Sequence, residues 1–355
     1  IPLISGRDVI LGFKTIFPIP LGQAASFNPD LVEKAARVAA IEASETGIRW
    51  TFAPMIDIAR DPRWGRIAES CGEDPYLTSV MGVAMIKGFQ GKDLSNPTSI
   101  AACAKHFAGY GAAEGGRDYN TTNITERQFR NTYLVPFENA VKNADLATIM
   151  TAFNANDGIP SSGNEFLLKQ ILREEWNFKG FVVSDWASIN EMVDHGFCSD
   201  NKEAAQKAIN AGVDMEMVSG TYVAYIESLL QEKKIKIETI NEEVRNILRV
   251  KFKLGLFENP YVSGNLKEAF YKEEHLKLAE KITEESIVLL KNKDAVLPVQ
   301  KPKTIAVFGP LADAPHEQMG TWVFDGEKNH TITPINALKE QYGKGINIIY
   351  EPTLK

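Results

Sequence analysis

The stretch Gly180-Phe181-Val182-Val183-Ser184-Asp185-Trp186 decides how the rest of this chain is read. Three apolar residues in succession read as a strand covered on both faces, the environment of a parallel sheet flanked by helices. The strand ends on a carboxylate and an indole, and a helix-like run begins at Ser188. In a β/α barrel, polar residues at the C-terminal ends of strands face the active site. Asp185 is therefore the first candidate for chemistry, suited to a nucleophile or a base. Helix capping explains an aspartate there equally well. Trp186 reads either as an apolar face for a ligand or as packing on a barrel rim.

The same pattern recurs along the chain. Residues 2–8, 48–55, 99–104, 147–153 and 212–217 read as further strands, with Asp8, Asp57, Lys105-His106, Asp214 and Glu216 at or near their ends. Helices are expected from Asn28-Pro29 to Gly47, over 75–90, over 164–176 and over 201–211. Two capping boxes, Thr125-Glu126-Arg127-Gln128 and Thr239-Ile240-Asn241-Glu242, open two more, the second stopping at Gly255. Strand alternating with helix argues for a parallel α/β architecture, and with the polar strand ends for an α/β barrel. Several charged strand ends on one face would make a pocket dense in ionisable groups. Near residue 292 the character changes: Leu297-Pro298 and Lys301-Pro302 read as a linker, and Ile305 starts a new strand. The expected organisation is a barrel over 1–291, a linker over 292–303 and the start of a second domain over 304–355. About fifty residues after the linker are few for a whole domain, so the second one is expected to be incomplete.

Composition narrows the partners. The chain has 355 residues, 44% hydrophobic and 24% charged, with a net charge of −7. It has no basic run suited to nucleic acid and no apolar run long enough for a bilayer. Cys71, Cys103 and Cys198 lack metal-ligand spacing and read as buried thiols. No metal and no cofactor are expected; there is no GxGxxG after a strand, no HExxH and no nucleophile elbow.

Three further stretches carry chemistry. Lys105-His106 joins a permanent cation to a titratable group. In the company of Gly109, Gly111, Gly115 and Gly116, which let a backbone come close to a ligand, it reads as a binding pair. Lys105 would also suit a Schiff base if desolvated. In Arg60-Asp61-Pro62-Arg63-Trp64-Gly65-Arg66, Arg66 can fork onto two hydroxyls or a carboxylate, whereas Arg63 reads as structural. Asp8 suits two hydroxyls of a ligand or a turn. Met81, Met85 and Phe89 read as core, and no partner is evident for His195, His275, His316 or His330.

These motifs resemble glycoside hydrolase family 3, in its bacterial, periplasmic-type branch of β-glucosidases. The matching pieces are GRDVI (6–10), TIFPIP (15–20), WTFAPMIDIARDPRWGR (50–66), GEDPYL (72–77), KHFAGYGAAEGGRDYN (105–120), GFVVSDW (180–186), and SIVLLKN (286–292) leading to GPLADA (309–314). The resemblance implies a TIM barrel followed by an α/β sandwich, and retaining, exo-acting hydrolysis of terminal β-glucosyl residues from a β-glucoside or cello-oligosaccharide-like substrate. Asp185 falls on the family's nucleophile. Asp8, Arg66, Lys105 and His106 fall on residues that hold the first sugar, and Trp186 on its wall. The general acid/base is expected beyond residue 355, so the remainder of the second domain is needed to complete the site. A segment before Ile1 is expected to supply the first barrel strand, and the location is expected to be periplasmic or secreted. Leu11 and Phe13 depart from a common His and Tyr and are expected near the first subsite. Gly116-Arg117-Asp118-Tyr119-Asn120 lacks the catalytic-His pattern of the family's single-domain N-acetylglucosaminidases. Asp8 tilts the sugar to glucose, since xylosidase relatives tend to carry Glu. The rivals are a β-xylosidase or other β-glycosidase, a Schiff-base aldolase using Lys105, and a non-catalytic carbohydrate-binding protein.

Overall fold

The computed structural model describes residues 1–262, 266–300, 302–343 and 345–353. Six short parallel strands organise it: β1 (Gly6–Arg7), β2 (Trp50–Thr51), β3 (Cys103–Phe107), β4 (Thr148–Thr151), β5 (Phe181–Trp186) and β6 (Met215–Met217). β1 pairs with β2, and β3, β4, β5 and β6 form one sheet in that order. Parallel bridges from Trp50 to Ala101 and from Met55 to Lys105 join the two sets. An all-parallel sheet taken in chain order is the arrangement of a TIM barrel, and that is the fold here. β2 is shorter than its apolar run suggests, because Pro54 has no N–H to give to a ladder.

β3, β4 and all of β5 but Trp186 are buried, as expected of strands covered on both faces. β5 comes so close to its neighbour that a Cβ on Gly180 would sit 1.9 Å from the Ala147 carbonyl oxygen, so only glycine fits. Around the strands lie α1 (Pro29–Ser44), α2 (Pro75–Gln90), α3 (Val135–Ala144), α4 (Ser188–Asp194), α5 (Asn201–Ala211), α6 (Thr221–Gln231), α7 (Ile237–Lys253) and α8 (Glu273–Ser286). Asn28 and Asp74 cap α1 and α2 by accepting the Leu31 and Leu77 N–H groups. Thr125 accepts the Gln128 N–H as its capping box requires. The second box does not open its helix: α7 already starts at Ile237, and Glu242 pairs instead with Arg245 at 2.9 Å. The segment Phe166–Glu175 winds as a wider π-type helix.

Beyond the barrel, β7 (Thr304–Phe308) pairs in parallel with β8 (Asn347–Glu351), and α9 (Pro334–Tyr342) lies between them in sequence, capped by Thr333. The segment between β7 and α9 returns to the barrel rim. Asp325 accepts two hydrogen bonds from Arg7, Glu327 pairs with Lys14 at 2.7 Å, and the His330 ring stacks on Tyr271.

Two of the charged strand ends do not face the rim pocket. Asp214 precedes β6 and accepts from the Val182 N–H, Arg173 and Asn246, beside the start of β5. Glu216 accepts the Thr221 and Tyr222 N–H groups and so closes the first turn of α6. Leu11 and Phe13 are core residues, 2% and 3% exposed. Met81, Met85, Phe89 and all three cysteines are buried.

Candidate active site

Asp185 stands at the end of β5 and is 8% exposed. Its Oδ1 accepts the Trp186 N–H at 2.6 Å, while its buried Oδ2 has no hydrogen-bond partner. Burial raises its pKa to about 6, against the pull of the Lys105 cation. The capping alternative is not what the fold uses: Ala187, in a left-handed conformation, occupies the N-cap of α4.

The end of β3 delivers Lys105 and His106, both buried. Lys105 Nζ lies 3.3 Å from Asp8 Oδ1, so Asp8 and Lys105 form one charged pair on the pocket wall. His106 packs edge-on against Tyr110, and its Nε2 faces Asp185 Oδ2 at 3.4 Å. Its Nδ1 lies 2.7 Å from Asp57 Oδ2, and the same oxygen accepts the His106 backbone N–H at 2.9 Å. Burial holds the imidazole well below its ordinary pKa, with Arg66 and Lys105 acting in the same direction.

Arg66 donates two hydrogen bonds to Glu69, at 2.8 and 2.9 Å. Its guanidinium lies 5.5 Å from the Tyr110 ring centroid and 6.0 Å from that of Trp322. Burial opposes the charge on Arg66, and the Glu69 bonds outweigh it. Trp64 is buried and donates its indole N–H to Asp118, which explains a tryptophan on a polar loop. Arg63 is exposed and bound to Asp61, the structural role expected of it. Trp186 is 62% exposed, and Tyr119 packs edge-on against Phe153.

Two of the glycines after Lys105-His106 are required by packing. A Cβ on Gly111 would meet the Ile58 carbonyl oxygen at 2.2 Å, and one on Gly116 the Trp64 nitrogen at 2.9 Å. They let this loop pack on the arginine-rich loop.

The structure thus brings Asp8, Arg66, Lys105, His106, Asp185 and Trp186 together at the ends of β1, β2, β3 and β5. Sequence reasoning missed three partners. Glu69 carries the i,i+3 spacing of an ion pair with Arg66, a usable signal. Asp57 was visible as a strand end without a role, and nothing local in the sequence places Trp322 over Arg66. Glu191 on α4 is also near; partial burial, then the charges of Asp185 and Asp194, raise its pKa to about 7. Among the described residues no group of three or more His, Cys, Asp or Glu is arranged to hold a metal. Chemically, the site offers one bare carboxylate oxygen facing a wall of cations and hydrogen-bond donors.

Comparison with known proteins agrees in both halves. Residues 1–250 match the glycosyl hydrolase family 3 N-terminal domain, and residues 287–349 match the C-terminal domain. The chain is 42% identical to a periplasmic β-glucosidase of Salmonella typhimurium, over 99% of this chain and 46% of that protein. A β-xylosidase of Formosa agariphila is 35% identical over 96% of this chain and 49% of its own length. The crystal structure of a β-glucosidase from Listeria innocua in complex with glucose superposes with a TM-score of 0.94 at 42% identity, covering 99% of this chain and 49% of that one. The chain therefore spans about half the length of these relatives. With both family domains matched in order and the barrel carrying its charged rim, the chain belongs to glycosyl hydrolase family 3.

Proposed function

We propose that this chain carries the nucleophilic half of a retaining, exo-acting β-glucosidase. The observation that carries the reading is the bare, buried Oδ2 of Asp185, set among Lys105, His106 and Arg66. Oδ2 attacks the anomeric carbon as the bond to the leaving oxygen breaks, and a general acid protonates that oxygen. Water then attacks the glycosyl-aspartate with the same group acting as base, and glucose leaves with its configuration retained. The Asp8–Lys105 pair, His106 and Arg66 hold the sugar hydroxyls, and Trp186 forms the wall of the first subsite. In the complete site the two carboxyl groups stand about 5–5.5 Å apart. The reading takes 1–291 as the barrel, 292–303 as linker and 304–355 as the start of the sandwich, and it places the enzyme in the periplasm or outside the cell. The names of the Salmonella and Listeria relatives support it.

A β-xylosidase is the second reading, supported by relatives of that name. The rate ratio for glucoside over xyloside separates the two. The deciding experiment treats the folded protein with a 2-deoxy-2-fluoro-β-glucoside bearing a dinitrophenyl leaving group, which needs no acid catalyst, and maps the labelled peptide. A glycosyl adduct on Asp185 is expected, and Asp185→Asn is expected to abolish both label and turnover while melting like the parent. An adduct on another carboxylate, or turnover retained by the variant, refutes the assignment.

A further inference from the structure

We propose that Asp57 is a positioning residue that sets the tautomer of His106, keeping a proton on Nε2 where that nitrogen faces the free oxygen of Asp185. Asp57 Oδ2 lies within hydrogen-bond distance of two atoms of His106, the backbone nitrogen at 2.9 Å and Nδ1 at 2.7 Å. The backbone group always donates, so Oδ2 must accept there. Towards Nδ1 a carboxylate oxygen can only accept, whereas the hydroxyl of a carboxylic acid can accept from one partner and donate to another.

Three features favour the acid form. Asp57 is 2% exposed, and its other oxygen is buried with no partner, a costly place for a full negative charge. Burial raises its pKa to about 8, with the His106 N–H, Arg66 and Lys105 opposing and Glu69 assisting. Finally, Nε2 lies 3.4 Å from the bare Oδ2 of Asp185, where an unprotonated nitrogen would set lone pair against lone pair. With Asp57 donating to Nδ1, the neutral imidazole carries its one proton on Nε2 and turns it to Asp185. Proton transfer within the pair gives imidazolium over carboxylate, which leaves the Nε2 proton in place. The charged groups around the trio are Lys105 on β3, Arg66 and Glu69 after β2, Asp8 after β1 and Glu191 on α4.

What that proton serves rests on Asp185 being the nucleophile: it favours the carboxylate form that attacks. The tautomer itself does not depend on that reading and has its own test. Nitrogen-15 NMR of histidine-labelled protein, read between pH 5 and 7.5, is expected to show His106 protonated at Nε2, assigned by its loss in His106→Gln. A wild-type His106 protonated only at Nδ1 overturns the proposal. Asp57→Asn keeps the shape, but an amide oxygen cannot donate, so the proton is expected to move to Nδ1. The acid limb of fluoroglucoside labelling is then expected to shift up by about one pH unit, as Asp185 loses a facing donor. An unmoved limb in a folded variant whose tautomer has switched overturns the link to Asp185.

Discussion

Arg66 shows how little freedom a residue of this pocket has. Its planar fork meets both oxygens of Glu69 while its face lies against Tyr110 and Trp322, so charge, shape and stacking are used together. Lysine keeps the charge but supplies neither the second parallel bond nor the flat surface, and it leaves Glu69 half-paired in a buried site. Arg66→Lys is therefore expected to lower kcat/KM for an aryl glucoside by about 100-fold or more. Steady-state kinetics, with circular dichroism to confirm folding, checks this; a loss of less than threefold would show that Arg66 acts as charge alone. At this scale the sequence was legible where a charged residue ended a strand inside an apolar run, as for Asp185 and Lys105-His106. It was not legible for Asp214 and Glu216. A boundary uncertain by two residues decides which end of β6 a carboxylate sits at, and both acids bind neighbouring backbone N–H groups.

At the scale of elements, caps written into the sequence placed α1 and α2 well, because Asn28 and Asp74 sit just ahead of a proline at the first turn. α7 escaped that logic: its face against the barrel, not a cap, sets where it starts. That face carries Glu243, 6% exposed, with Oε1 buried and unpartnered. Burial, and then the nearby Asp214 charge, raise its pKa to about 9 from the ordinary 4.5. Between those values the folded chain binds a proton that the unfolded chain has released, so the Glu243 contribution to stability is full below about pH 4.5 and is lost as pH rises towards 9. Glu243→Gln mimics the protonated form and does not titrate. It is expected to match the parent near pH 5 and to gain on the order of 2 kcal/mol over it between pH 6 and 9. Urea denaturation across that range reads the difference. Asp57 titrates in the same window but is common to both proteins, so it cancels. A constant gap between the two proteins at every pH would mean that Glu243 is ionised in the fold.

At the scale of the whole molecule, the surroundings of Arg66 are shared between the barrel and the segment that follows β7. The sequence marked both as parts of one family pattern, but contact between residues more than two hundred positions apart leaves no local trace. Trp322 sits at φ +59°, a conformation unusual for a bulky residue, and its ring covers Arg66. Nearby, Phe324 lies under the Arg7 guanidinium, and Asp325 and Glu327 pair with Arg7 and Lys14. Those pairs are partly exposed, and each is worth about 1 kcal/mol or less, so they align the segment more than they fasten it. Trp322 differs, because losing it uncovers one face of the arginine that Glu69 holds. Trp322→Leu is expected to weaken competitive inhibition by glucose about tenfold, the equivalent of one partly buried cation–π contact. Asp325→Ala, which removes only a rim pair, is expected to change it less than threefold. Equal effects of the two variants would mean that the segment acts through its overall docking. A glucose inhibition constant unchanged in Trp322→Leu would mean that the barrel holds Arg66 without help from beyond its own rim.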